Sequence, residues 1–270
     1  MPMSPALGFD RYTAHGGPVR GLALSPDGST LVTASFDYSA VVWGTQALEE
    51  QATLLGHEAA VNTAAFSADG SLLATAGDDG SVLLWTKEQI GNDSAEPVVL
   101  QGHKGKVVDL AFASDGTMLA SASWDGSIGI WPLAGTGLDE SQPARFITGL
   151  DGPVNAVQFS DNNEYLYSAG YDGQIRYWRL QNDEYLRSPV RNGWGVSVFM
   201  VDEKADLVAY GGSDGQMVIQ RLSDDKIHLK LGEERVPVLS LFYDDKDGLI
   251  GFGNADGRVV LIDTTDWSVV

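Results

Sequence analysis

The chain contains no cysteine. Disulfides, thiolate zinc sites, iron–sulfur clusters and covalent haem attachment within these residues are therefore excluded. The redox compartment stays open, because a cysteine-free chain tolerates reducing and oxidising surroundings alike. Basic residues are scarce: 17 Lys and Arg stand against 37 Asp and Glu, a formal net charge of −20. So acidic a chain repels phosphate backbones and anionic membrane at long range, and nucleic acid is not expected as a partner. No apolar run approaches the ~18 residues of a membrane span. The first residues, Met1-Pro-Met-Ser-Pro-Ala-Leu-Gly8, have neither the basic start nor the apolar stretch of a signal peptide. As the chain stands, it is expected to be cytoplasmic. No segment keeps a helical period over ten or more residues.

What the chain has is an internal repeat, in a globular composition that suits one domain over residues 1–270. Aspartates in short turns recur at Asp37, Asp79, Asp125, Asp172, Asp214 and Asp256, spaced by 42, 46, 47, 42 and 42 residues. Six residues after each stands Trp43, Trp85, Trp131 or Trp178, then Gln220 and Ile262. Twenty-two residues before each stands His15, His57 or His103, then Leu150, Asn192 and Glu234. The units run over about 14–43, 56–85, 102–131, 149–178, 191–220 and 233–262. Each carries three strand-like runs, such as Val61–Phe66, Leu72–Gly77 and Val82–Trp85. A fourth is expected before each histidine position, as in Ala52–Leu55. Ser-Pro-Asp-Gly and Asp-Gly turns separate the runs. The connectors 86–97 and 132–145 read as loops, and His228 as a strand surface residue. The pattern is all-β.

These residues carry a resemblance. The Gly56-His57 and Gly102-His103 pairs, the Asp-Gly turns and the closing tryptophans resemble the WD-repeat family of β-propellers, over residues 14 to 262. The resemblance implies six recognisable blades of four strands each, packed about a channel. It implies ring closure by an N-terminal strand within residues 6–13. Residues 263–270 are then a tail, or the start of a further repeat in a fragment of a seven-bladed ring. It also implies a hydrogen-bonded set inside each of the first three blades: His15, Thr33, Asp37 and Trp43; His57, Thr75, Asp79 and Trp85; His103, Ser121, Asp125 and Trp131. A recurring His, Ser and Asp could suggest nucleophilic catalysis. A catalytic triad needs one copy, however, and three copies at fixed spacing read as structural.

The family binds partners with loops around the histidine and the aspartate turn. That places Phe36, Trp124 and Tyr171 at turn tips, with Arg20, Asn62, Lys106 and Asn155 beside them, as candidate protein-binding residues. No metal set, cofactor or catalytic constellation is expected. The function implied is a non-catalytic protein-interaction scaffold. A narrower likeness gives an alternative. Thr33-Ala-Ser-Phe-Asp37, Ser121-Ala-Ser-Trp-Asp-Gly126 and Ile262-Asp-Thr-Thr-Asp-Trp267 are similar to bacterial WD-repeat propellers fused to a c-type cytochrome domain. This chain would then be the propeller of an exported, periplasmic protein whose cytochrome domain is missing here, and it would dock a redox partner.

Overall fold

A computed structural model describes residues 14–92, 94–135, 137–232, 236–244 and 246–270. The valine- and leucine-rich runs between Asp-Gly turns form six antiparallel sheets, each built from consecutive strands. The first holds β1 (Val19–Leu24), β2 (Thr30–Ser35), β3 (Ala40–Gly44) and β4 (Glu49–Leu54). The second holds β5 (Val61–Phe66), β6 (Leu72–Gly77), β7 (Val82–Thr86) and β8 (Val98–Leu100). The third holds β9 (Val107–Phe112), β10 (Met118–Ser123) and β11 (Ile128–Ala134). Both β12 (Gly137–Leu138) and β13 (Arg145–Ile147) pair with β11. The fourth holds β14 (Val154–Phe159), β15 (Tyr165–Gly170), β16 (Gln174–Arg179) and β17 (Glu184–Arg191). The fifth holds β18 (Val196–Asp202), β19 (Leu207–Gly212), β20 (Met217–Arg221) and β21 (Ile227–Leu231). The sixth holds β22 (Val238–Asp244), β23 (Leu249–Asn254) and β24 (Val259–Asp263).

Each first strand packs beside the first strand of the next sheet, from β1 and β5 through to β18 and β22. The result is a six-bladed propeller whose core lies between the sheets. Leu73, Leu83 and Trp85 of the second sheet meet Val32, Val42 and Leu54 of the first in one apolar cluster. The third and fourth sheets meet through Ile128, Ile130, Val157 and Phe159. Burying each such side chain contributes about 1.5–3 kcal/mol. Small residues in the second strand of each sheet, such as Ala74, Ala76, Ala120 and Ala122, let the sheets approach closely.

Every first strand carries the same irregularity: its register slips by one residue after the first pair, as between Val61 and Thr63 or Val154 and Ala156. The skipped residues are Arg20, Asn62, Val108, Asn155, Ser197 and Leu239. A bulge of this kind re-aims one side chain out of the alternating pattern. The aspartate turns need left-handed backbone. Glycine supplies it at Gly80, Gly126, Gly173, Gly215 and Gly257, whereas Tyr38 takes φ +74° in the first turn.

The two long connectors hold more order than loops. Residues 86–97 begin with the one-turn helix α1 (Lys87–Ile90), where the Gln89 side chain accepts the Thr86 N–H at 2.7 Å and Ile90 is buried. Residues 132–145 open by prolonging β11 into a short hairpin with β12. The closing strand expected within residues 6–13 lies outside the described residues. At the other end, Val269 bridges Ile262 and the Val270 N–H donates to Leu261 O at 2.9 Å. Residues 267–270 thus lie along β24, where the fourth strand lies in the other sheets.

Candidate functional site

Three of the aspartate turns are tied to the sheet interior by chains of hydrogen bonds. In the third sheet Trp131 Nε1–H donates to Ser121 Oγ at 2.9 Å, Ser121 Oγ lies 2.7 Å from His103 Nε2, and His103 Nδ1 lies 3.1 Å from Asp125 Oδ2. The Asp125 carboxylate also accepts the Lys104 and Ser127 N–H groups and the Ser127 hydroxyl. In the second sheet the chain runs from Trp85 to Thr75 at 3.2 Å, from Thr75 to His57 at 3.0 Å and from His57 to Asp79 at 2.9 Å. In the first it runs from Trp43 to Thr33 at 2.9 Å, from Thr33 to His15 at 2.7 Å and from His15 to Asp37 at 2.9 Å.

The protonation states follow from the surroundings. Burial pushes the His103 imidazole below its ordinary value against the pull of Asp125, so its neutral form prevails at pH 7. Nδ1–H then donates to the carboxylate, and Nε2 accepts the Ser121 hydroxyl. Burial opposes charge on Asp37, but hydrogen bonds from Ser39, His15 and the Gly16 N–H hold its carboxyl at about 2. Asp79 and Asp125 are held below the usual carboxylate range by the same balance. Each hydroxyl in these sets already serves a tryptophan and a histidine, and Thr75 and Ser121 are fully buried.

The fourth sheet keeps half of this arrangement. Trp178 Nε1–H donates to Ser168 Oγ at 2.8 Å, but Leu150 stands at the histidine position. Arg176, four residues after the turn aspartate, fills the partner role and meets Asp172 at 2.5 Å in a mostly buried ion pair. In the fifth sheet the Tyr210 hydroxyl donates to Gln220 Oε1 at 3.3 Å. In the sixth, Phe252 and Ile262 occupy the hydroxyl and tryptophan positions, and both are buried.

The face carrying the turns is built by one recurring bond. The residue before each aspartate donates its N–H to a carbonyl of the histidine loop: Phe36 to Pro18, Asp78 to Ala60, Trp124 to Lys106, Tyr171 to Pro153, Ser213 to Gly195 and Ala255 to Pro237. Phe36, Trp124 and Tyr171 project from these turns and are exposed. The structure brings Trp124, Tyr171, Lys106 and Asn155 together. The two rings meet edge to face at 5.9 Å. The Lys106 ammonium lies 5.6 Å from the Trp124 ring centre and pairs with Asp78. Asn155 accepts the Trp124 Nε1–H at 3.1 Å and donates to Val196 O at 2.8 Å.

Asn62 differs from the presenting residue expected of it. It is buried, and its amide donates to Asp78 at 2.8 Å and to Val107 O at 3.0 Å. Asn62 and Asn155 are both skipped residues of the bulged first strands, and both reach the first strand of the next sheet. Arg20 and Phe36 stand on the first sheet, away from the Trp124 cluster, and Arg20 is exposed.

Sequence reasoning missed two residues here, although each leaves a signal. Trp194, also exposed, stands two residues after a histidine position, in a column otherwise held by Gly17, Ala59, Gly105, Gly152 and Val236. It lines a cavity of about 490 Å³ with Asn192, Asp214, Gln216 and Lys230. Arg176 is the one charged residue in a column of Val41, Leu83, Gly129, Val218 and Val260.

Comparison with known families agrees with this geometry. The family described as WD domain, G-beta repeat matches residues 9–44, 48–86, 96–132 and 141–179, more than half of the chain. The Anaphase-promoting complex subunit 4 WD40 domain matches residues 201–270. No curated protein matches the chain. Six repeated antiparallel sheets, their aspartate turns and these matched segments lead to one conclusion: the chain belongs to the WD40 repeat family.

Proposed function

We propose that the chain is a non-catalytic scaffold that holds a protein partner on the face of the aspartate turns. The observation that carries this reading is the Trp124–Tyr171 pair. Two exposed aromatic rings in edge contact, oriented by Asn155 and Lys106, stand on turns where burial does not require them. Rigid exposed aromatics concentrate binding energy at protein interfaces. Trp194 extends the aromatic face onto the neighbouring fifth blade, and Phe36 stands apart on the first.

The His, Thr/Ser, Asp and Trp sets are read as structural ties. A nucleophile must reach its substrate, and the Thr75 and Ser121 hydroxyls are enclosed by their own partners. With a net charge of −20, the chain suits partners of neutral or basic surface.

The test is in-cell crosslinking with the chain as bait, beside a Trp124→Ala, Tyr171→Ala, Trp194→Ala variant. The bound protein is expected to fall at least about tenfold, since each anchor of this kind is worth roughly 1–2 kcal/mol. Its capture at an unchanged level, with the variant's Tm intact, refutes the docking face. The second reading, in which the propeller docks a redox partner for an attached cytochrome domain, rests on motif likeness. A haem stain of the protein from its own cells decides it.

A further inference from the structure

Five of the six turn aspartates hold a histidine or arginine of their own sheet. Asp37, Asp79 and Asp125 each meet a histidine, Asp172 meets Arg176, and Asp256 meets Arg258 Nε at 3.1 Å. Asp214, in the fifth sheet, is the exception. Asn192 stands at its histidine position, and Gln216 and Val218 stand where the sixth and fourth sheets place their arginines. Asp214 Oδ1 accepts the Gln216 N–H at 3.1 Å, and among the described residues no side chain donates to either oxygen. The carboxylate borders open space instead. It lines the cavity of about 490 Å³ with Asn192, Trp194 and Lys230. Trp194 is 64% exposed, so its ring contributes little to the core.

A carboxylate without its counter-charge, beside an uncovered indole, is the pairing that receives a cation. Two observations narrow the cation to a guanidinium. The equivalent carboxylates of sheets four and six already carry one, so the turn geometry accepts it. The indole also offers a plane on which a flat guanidinium stacks, whereas an ammonium is a compact, strongly hydrated point charge. The Trp194 loop is seated on the Tyr171 turn, where a Cβ on Gly195 would lie 3.2 Å from Tyr171 Cα. The cavity therefore adjoins the face of Trp124 and Tyr171. We infer that it takes an arginine side chain of the protein held on that face, stacked on Trp194 and donating to Asp214 and to the Asn192 amide oxygen. The source of the arginine rests on the docking reading above; the chemistry of the cavity does not.

The probes are three blocked tripeptides, Gly-Arg-Gly, Gly-Lys-Gly and Gly-citrulline-Gly, the last an uncharged isostere of the first. The readout is the Trp194 indole N–H signal in nuclear magnetic resonance, assigned by its loss in Trp194→Phe. The arginine peptide should shift it saturably. The citrulline peptide should bind at least about tenfold more weakly and the lysine peptide at least about threefold. Asp214→Asn keeps an oxygen for the Gln216 N–H and should weaken the arginine peptide at least about tenfold. Lys230→Gln removes the basic residue of the lining and should tighten it. No saturable shift with the arginine peptide overturns the inference, as does equal binding of the citrulline or lysine peptide to the unaltered chain. A partner whose capture is lost in a Trp124→Ala, Tyr171→Ala variant but unmoved by Asp214→Asn also overturns it, and leaves the docking face standing. Binding of the arginine peptide through Asp214, with no partner captured on the face, supports the cavity's chemistry and removes the docking reading.

Discussion

In the second sheet Trp85, Thr75, His57 and Asp79 form one hydrogen-bonded chain from core to turn. In the sixth, the core positions of that chain hold Ile262 and Phe252, with no polar atom to share. The backbones are nonetheless alike: three strands in register, the same bulge, the same turn. Both sheets keep the bond within the turn, where the aspartate carboxylate accepts the N–H two residues on. Ser81 donates to Asp79 at 2.9 Å, and Arg258 donates to Asp256 at 3.3 Å. A side chain that closes its own turn is sufficient to set local geometry. The longer chain of bonds adds stability, but it demands all of its members, because a partly satisfied buried network strands polar groups. An apolar interior can change one residue at a time. That accounts for sheets with complete sets and sheets with none, and for a fourth sheet that needed Arg176 when it lacked histidine.

Arg176→Ala should therefore have the largest effect of the variants that probe this contrast. It leaves Asp172 without its cation in a mostly buried site, and a loss of about 2–4 kcal/mol is expected in urea melts. A loss below that of an ordinary surface substitution would show that the fourth sheet does not depend on its substitute partner. Next comes the direct contrast. Asp79→Ala strands the His57 Nδ1–H and two backbone N–H groups and should cost about 1–3 kcal/mol. Asp256→Ala breaks an exposed turn bond and should cost clearly less. Equal losses would mean that the network adds nothing beyond the turn.

The smallest effect is a pH dependence in the third sheet. Burial pushes the Asp109 carboxyl up to about 7, against hydrogen bonds from the Val157 and Leu110 N–H groups. A folded value above the ordinary 3.8 means that its contribution is fully present below about pH 4 and is lost as pH rises to 7. Asp109→Asn keeps a carbonyl for Val157 and removes this titration. Asp109 is only half-buried and solvent screens part of this cost, so the variant should gain roughly 1–2 kcal/mol on the parent between pH 4 and pH 8. Parallel stability curves would show that Asp109 is ionised without cost. The turn aspartates act in another window: with folded values below the ordinary one, their contribution stands above about pH 4 and fades as pH falls below it, for Asp37 toward about 2.

Much of the molecule was legible in its sequence because each unit repeats the same local physics. Alternating apolar runs mark strands, Asp-Gly marks a left-handed turn, and two fixed spacings mark one supersecondary unit used six times. The hydrogen-bonded sets could be listed by number, since a constant spacing brings the same atoms together in each of the first three copies. The candidate surface was legible only in part. Trp124 and Tyr171 stand on adjacent turns and meet. Asn62 and Asn155 share one column and both amides reach the next sheet, but the other partner of Asn62 is Asp78, where Asn155 holds the Trp124 indole. Arg20 belongs to a blade that the cluster does not reach.

The sequence by itself determined the strands, the turns, the number of units and the residues available to tie each turn to its sheet, because all of these depend on neighbours within one repeat. Only the tertiary structure decided what each sheet face meets. Val82 and Val259 occupy one position of the repeat, and Phe159 and Leu24 another. One of each pair is buried and the other faces water, because burial between sheets is a property of the neighbour and not of the residue.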